Sequence, residues 1–287
     1  MTERISDGGI VVERDAEGRE RKEREVDSSE LLGKELEIGY PDTDEPVVEC
    51  ESIVVPAGEI TALVGPNGSG KSTLLKALSR ELDPENGTVR LDGEDVQTLG
   101  TKALARKLGL LSQENESPGN LTVEELTHHG RYPHRGFFDS RTEDDHEAVE
   151  RALELAGVSH LRDEEMGSLS GGQRQLAWIA MVLAQDTDVL LLDEPTTYLD
   201  LRHQLRVLEV VRTLARERGL TIAIVLHDIA QAARYADNLV ALRDGEPYDW
   251  GPPGEVVTEE LLADVFGVEA AVGVGPEGPV VTPRRPL

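Results

Sequence analysis

Cys50 is the only cysteine in 287 residues, so the chain can build neither an internal disulfide nor a cysteine-based metal site. No run approaches the roughly 18 apolar residues that a membrane-spanning helix needs, and the N-terminus lacks the apolar core of a signal peptide. Basic residues are scarce: 29 lysines and arginines face 56 aspartates and glutamates, a formal net charge of −27. So acidic a chain has no general attraction to phosphate backbones, which argues against nucleic acid as a partner. No repeat of about 20–50 residues is present. These absences point to a cytoplasmic globular protein. A hydrophobic content of 38% over this length suits one large domain or two small ones.

The acid is not confined to a tail. Residues 1–30 hold ten acids against six bases, so most of the surplus lies on the folded part. Only six of the basic residues are lysines, against 23 arginines. The composition resembles that of halophile proteins from salt-loaded cytoplasm, where screening relieves the repulsion between carboxylates.

Residues 1–30 are charge-dense without periodicity and read as a mobile leader. Strand-like runs follow at 36–40, 47–55, 60–64 and 88–91, with a helix at 72–82 directly after the third. A more polar, helix-rich middle follows, from about 115 to 168. In it, residues 143–156 place Ala148, Val149, Ala152, Leu153 and Ala156 on one helical face. Apolar strands return at 189–192 and 221–226, separated by a helix with Val207, Val210, Val211 and Leu214 inward. Continuously apolar strands alternating with helices imply an α/β fold with a mostly parallel sheet covered on both faces. The reading divides the chain into the leader at 1–30, a main domain at 31–267 with an inserted helical subdomain at about 115–185, and a C-terminal strand pair at 268–287.

The run at 59–64 leads into Gly65-Pro66-Asn67-Gly68-Ser69-Gly70-Lys71-Ser72-Thr73 and then a helix. This satisfies G-x-x-x-x-G-K-[ST] in the strand–loop–helix setting that the motif requires. The glycines let successive N–H groups face an anion, Lys71 reaches the outer phosphates, and the Ser72 hydroxyl suits a Mg²⁺ ion. A second half-site is Val189-Leu190-Leu191-Leu192-Asp193-Glu194, a buried strand ending in two carboxylates at the edge where open α/β sheets bind ligands. Asp193 is the expected second ligand of Mg²⁺, and Glu194 the expected general base that polarises an attacking water.

Leu169-Ser170-Gly171-Gly172-Gln173, which precedes the carboxylate pair, resembles the LSGGQ motif of ABC-type ATPases. Tyr40, Gln113, Thr197-Tyr198-Leu199-Asp200 and His227-Asp228 fall in that family's order. The likeness spans about residues 31–267 and implies a P-loop fold with an N-terminal antiparallel portion. It also implies a head-to-tail homodimer with two ATP molecules held between protomers. By that resemblance Ser170, Gly171, Gly172 and Gln173 meet the phosphate presented by the partner, and Asp200 lies at the dimer seam. By the same resemblance Tyr40 stacks on adenine. Gln113 senses Mg²⁺ and the attacking water, and His227 contacts the γ-phosphate.

One nucleotide unit with only 57 positions between Gln113 and Ser170 leaves no room for the long coiled coil of the chromosome-maintenance relatives. The resemblance therefore implies the ATPase subunit of a transporter whose permease is a separate polytopic membrane protein. Gly130-Arg131-Tyr132-Pro133-His134 and the Thr196-Thr197-Tyr198 version of the seam are similar to subunits of iron–siderophore, cobalamin and haem importers. Such a subunit sits peripherally on the cytoplasmic face of the membrane, served indirectly by an extracytoplasmic substrate-binding protein. A soluble ABC ATPase of iron–sulfur cluster assembly, with no membrane partner, shares the same ATPase motifs and remains the alternative. His128, His129, His134 and His146 match no fixed metal-ligand spacing and read as part of the surface facing the membrane subunit.

Overall fold

Alternation of apolar and polar side chains builds the first layer of the fold. The computed structural model describes residues 12–14, 20–22, 30–41, 45–113, 115, 118–136 and 140–287. A short antiparallel ribbon joins β1 (Val12–Arg14) to β2 (Glu20–Lys22), and the rest of the expected leader up to residue 29 lies outside the described residues. Then come β3 (Leu31–Ile38), β4 (Val48–Val55), β5 (Ile60–Val64), α1 (Lys71–Leu78), β6 (Asn86–Leu91) and β7 (Glu94–Asp95). Strands β4, β3, β6 and β7 form an antiparallel sheet in that order. The strand expected at 36–40 starts at Leu31 and stops at Ile38, leaving Tyr40 beyond its end. The physical reason is a bulge: Glu35 has φ 51° and the register with β6 shifts between Lys34 and Glu37. An extra residue there breaks the period of two that would have revealed the first half.

The second layer is made of α2 (Thr101–Lys107), β8 (Leu108–Leu111), α3 (Val123–His129), α4 (Glu143–Ala156), α5 (Gly171–Leu183), β9 (Val189–Leu192), α6 (Leu201–Arg218), β10 (Thr221–Val225), α7 (Ile229–Tyr235), β11 (Asn238–Arg243), β12 (Glu246–Gly251), α8 (Pro253–Val256) and α9 (Glu259–Asp264). The central sheet runs β12-β11-β5-β10-β9-β8, parallel throughout except for β12 at the edge. Its inner strands are apolar on both faces because both faces are covered. In β9, Val189 and Leu191 join the core shared with α1 and the antiparallel sheet, while Leu190 and Leu192 join the core under the helices.

Helices α3, α4 and α5 pack together, with Val123, Leu126, Val149, Leu153, Leu176 and Ile179 in one buried cluster. The face expected on α4 is the buried one. Thr122 and Thr142 start α3 and α4 with capping boxes. A buried pair, Arg131 Nε to Asp145 Oδ1 at 3.0 Å, fixes α4 to the segment after α3, and Arg131 Nη1 donates to the Ala184 carbonyl. The chain closes with an antiparallel hairpin, β13 (Val268–Gly275) and β14 (Gly278–Pro286), turning where Gly275 faces Gly278. No helix among the described residues is long and apolar enough to cross a membrane.

Among the described carboxylates, only those of Glu30, Asp145 and Asp193 belong to buried residues. The negative charge of the described residues therefore lies largely outside the core, where salt screens it over a Debye length of about 3 Å at 1 M against about 10 Å at 0.1 M. The unfolding midpoint is expected to rise between about 0.1 M and 2 M KCl, as followed by circular dichroism. A midpoint highest in dilute buffer and falling with KCl would contradict the role given to the acid surface.

Candidate active site

Parallel register brings the ends of β5, β8, β9 and β10 to one edge of the sheet. Leu63 lies opposite Val225, Ile224 opposite Leu192, and Leu192 opposite Leu111. The Leu226 N–H donates to the Leu63 carbonyl at 3.1 Å and the Asp193 N–H to that of Leu111 at 2.9 Å, carrying the pairing into the loops. Four loops far apart in sequence therefore converge, as at the ligand-binding edge of other open α/β sheets.

The loop after β5 needs its glycines. Gly65, Gly68 and Gly70 have φ of 148°, 80° and 93°. A Cβ on Gly65 would collide with the Leu242 carbonyl oxygen, and one on Gly70 with the Val48 side chain. The loop thus curls tightly onto the start of α1. That start has no capping side chain, whereas Thr122, Thr142, Ser170, Asp200, Asp228 and Thr258 cap later helices. An uncapped N-terminus with its partial positive charge is an anion seat.

Lys71 is buried, and its Nζ donates to the carbonyls of Gly65 at 3.0 Å and Pro66 at 2.7 Å and toward Ser69 Oγ at 3.4 Å. Burial pulls its pKa below the ordinary value, and the charges of Glu194 and Asp193 oppose that pull. Beside it Ser72 Oγ donates to Asp193 Oδ1 at 2.8 Å. Burial pushes the pKa of Asp193 up against the bond from Ser72. A buried carboxylate and a hydroxyl in contact are hard oxygen donors, the set that Mg²⁺ prefers, so these residues fit such an ion.

Glu194 has φ 50°, an unusual value for a residue with a side chain. Its Oε2 receives Gln113 Nε2 at 2.7 Å and Thr197 Oγ1 at 3.1 Å, and lies 2.7 Å from His227 Nε2. Three groups from three loops hold one carboxylate oxygen. Asn67, Gly68, Gly70, Lys71, Ser72 and Thr73 line the same groove, of about 440 Å³, as Gln113, Glu194 and His227. Tyr40 stands beside it, its hydroxyl 3.2 Å from Thr73 Oγ1.

Ser170, Gly171, Gly172, Gln173 and Asp200 are not part of that groove. Ser170 caps α5, its hydroxyl accepting the Gln173 N–H at 3.4 Å while Gln173 Oε1 accepts the Ser170 N–H at 3.0 Å. Because the hydroxyl accepts in this box, its own proton is still available for donation to an anion. Asp200 caps α6 by accepting the His203 N–H at 2.9 Å. The groove is thus built from the loop at 65–73 and the ends of β8, β9 and β10, with Ser170–Gln173 and Asp200 outside it.

Three groove residues were given no role of their own in the sequence reading: Val47, and within the run 197–200 Thr197, a donor to Glu194, and Tyr198, which is 98% exposed with φ 61°. Thr197 sits three residues after Glu194 in a turn closed by its own N–H on the Glu194 carbonyl at 3.2 Å. That spacing is a signal only when the turn is known. Among the histidines, His128 meets His146 edge-on with ring centres 5.1 Å apart, and His134 Nε2 lies 2.6 Å from the Gln185 carbonyl oxygen. Nearby Tyr132 is exposed, with Lys102 over its ring.

Comparison with known proteins gives a consistent result. A family model described as ABC transporter matches residues 51–197. The ferric enterobactin transport ATP-binding protein FepC of Escherichia coli (strain K12) is 49% identical over 242 residues, 84% of this chain and 89% of that protein. Among solved structures, an ABC transporter assigned to the metal-chelate type, in an inward-facing conformation, superposes with a TM-score of 0.76 at 27% identity, covering 90% of this chain and 98% of that one. The dimeric ATP-binding cassette MJ0796, in a post-hydrolysis state with ADP and phosphate, gives a TM-score of 0.67 at 26% identity over 78% of this chain and 98% of that one.

Proposed function

The chain belongs to the ABC transporter family, and from that premise we propose that it is the ATP-hydrolysing subunit of an importer for a ferric siderophore. The observation that carries the substrate class is the 49% identity with FepC across nearly the whole of both chains. The protein works as a homodimer with a separate membrane permease, at the cytoplasmic face of the membrane. A substrate-binding protein outside the membrane hands over the chelate.

In the proposed reaction, a water molecule attacks the γ-phosphorus of ATP, the bond to the β-phosphate oxygen breaks, and ADP and phosphate leave. The loop Gly65–Thr73 and the start of α1 seat the phosphates, with Lys71 on the outer ones, and Tyr40 stacks on adenine. Glu194 takes the proton of the attacking water, and Gln113, Thr197 and His227 hold its carboxylate in place. Ser72 and Asp193 would hold Mg²⁺, which would supply positive charge against the phosphoryl oxygens. Ser170 and Gly171 of the second copy close on the γ-phosphate from the other side, with Asp200 at the seam. Closure occurs only with ATP between the copies, so nucleotide binds the closed state better and can drive a conformational change in the permease.

Deleting the gene in its native host tests the importer reading. Uptake of radiolabelled iron from ferric siderophore should fall to background and return with the intact gene, and the protein should co-purify with a polytopic membrane protein. Normal uptake in the deletion strain, with the protein found only in soluble complexes, would favour a role in iron–sulfur cluster assembly.

A further inference from the structure

The start of α5 lies against the turn after Glu194 and the first turn of α6, with Leu199 beside Gly171 and His203 against Gly172. A Cβ placed on Gly172 would overlap the ring of His203, so residue 172 must lack one for α5 to approach α6 this closely. The same imidazole puts Nδ1 2.8 Å from Asp200 Oδ1, the oxygen that also accepts the His203 N–H. These two bonds hold the Asp200 carboxyl below its ordinary pKa. The next residue, Gln204, reaches back from α6 to the Thr196 carbonyl at 3.4 Å and accepts from Gln231 of α7 at 2.8 Å. Between these anchors lies Thr197, whose hydroxyl donates to Glu194. An unbroken series of contacts thus runs from Gly172 through His203 and the Thr196–Asp200 turn to Glu194.

We propose that His203 is a positioning residue that makes the start of α5 and the turn beside Glu194 move as one piece. This rests on the reading that Ser170 and Gly171 meet the nucleotide of the second copy. When one copy closes on its partner's phosphate, the ring of His203 passes that displacement to its own turn and sets Thr197 against its own Glu194. The two nucleotide sites of the dimer are thereby linked through each chain, with His203 touching neither nucleotide.

The test compares His203→Ala with His203→Asn. Both keep the backbone N–H that Asp200 Oδ1 accepts, so α6 retains its Asp200 cap, and Asn restores a side-chain donor near the position of Nδ1. ATPase rates are measured against ATP concentration, with ATP-driven dimerisation of the same variants in a Glu194→Gln background followed by light scattering. For His203→Ala, kcat should fall about tenfold or more while the KM for ATP stays within about twofold, and His203→Asn should recover to within about threefold of wild type. A kcat for His203→Ala within about twofold of wild type, a loss matched by KM, or an Asn variant no better than Ala would overturn the link. If the Glu194→Gln chain with His203 intact fails to dimerise with ATP, the dimer reading falls and takes the link with it. If it dimerises and His203→Ala still turns over normally, the link alone falls.

Discussion

Replacing Glu194 by Gln should leave ATP binding intact and lower turnover by about 10²–10⁴-fold, the usual contribution of a positioned general base. The substitution preserves size, and a Gln oxygen can still accept from Gln113 Nε2 and Thr197 Oγ1, so the surrounding loops keep their arrangement. What is lost is the capacity to take a proton from water. The bound nucleotide then survives, and a dimer held together by ATP should accumulate on light scattering. Residual turnover above a few per cent of wild type would show that another group takes the proton.

Lys71→Ala should act at an earlier step. The Nζ is held at the loop by the carbonyls of Gly65 and Pro66, so it is aimed before nucleotide arrives. Two charge-assisted hydrogen bonds to phosphate at about 1.5–3 kcal/mol each correspond to about 10²–10⁴ in affinity. Removal of the amine also leaves the two carbonyls without that donor. ATP affinity by calorimetry should fall by about two orders of magnitude or more, with hydrolysis at background and no dimer at millimolar ATP. Affinity within about tenfold of wild type would mean that the loop backbone and the α1 terminus carry the phosphates without Lys71. The contrast between the two variants is informative in itself: one binds without hydrolysing, and the other does not bind.

Those features of the site that are local in sequence could be read directly. The loop at 65–73 is one contiguous strand–loop–helix unit, and the apolar run Val189–Leu192 ending in two carboxylates has the same self-contained character. Helix α5 begins at Gly171, directly after the motif serine, because the Ser170 capping box starts it there. The helix expected at 72–82 ends at Leu78, and Arg80 follows with φ 60° and its guanidinium on the carbonyls of Val96 and Leu99. Edge strand β12 was not legible, since its run contains Pro247 and alternates only weakly in burial. The contacts of His203 with Gly172 and of Thr197 with Glu194 depend on how α5, α6 and the sheet edge meet. No periodicity or spacing encodes that meeting. The motif glycine at 172 was visible, but that a neighbouring ring requires it could be learned only from the packing.

The central claim is that this chain seats the phosphates of ATP with its own glycine loop and leaves the opposite side for another copy. A structure of the Glu194→Gln protein crystallised with ATP and Mg²⁺ tests it most directly. The account predicts two nucleotides at the junction of two chains, each γ-phosphate within hydrogen-bonding distance of a Ser170 hydroxyl from the chain that does not supply its Lys71. A nucleotide wholly enclosed by one chain, with Ser170 turned to solvent, would contradict it.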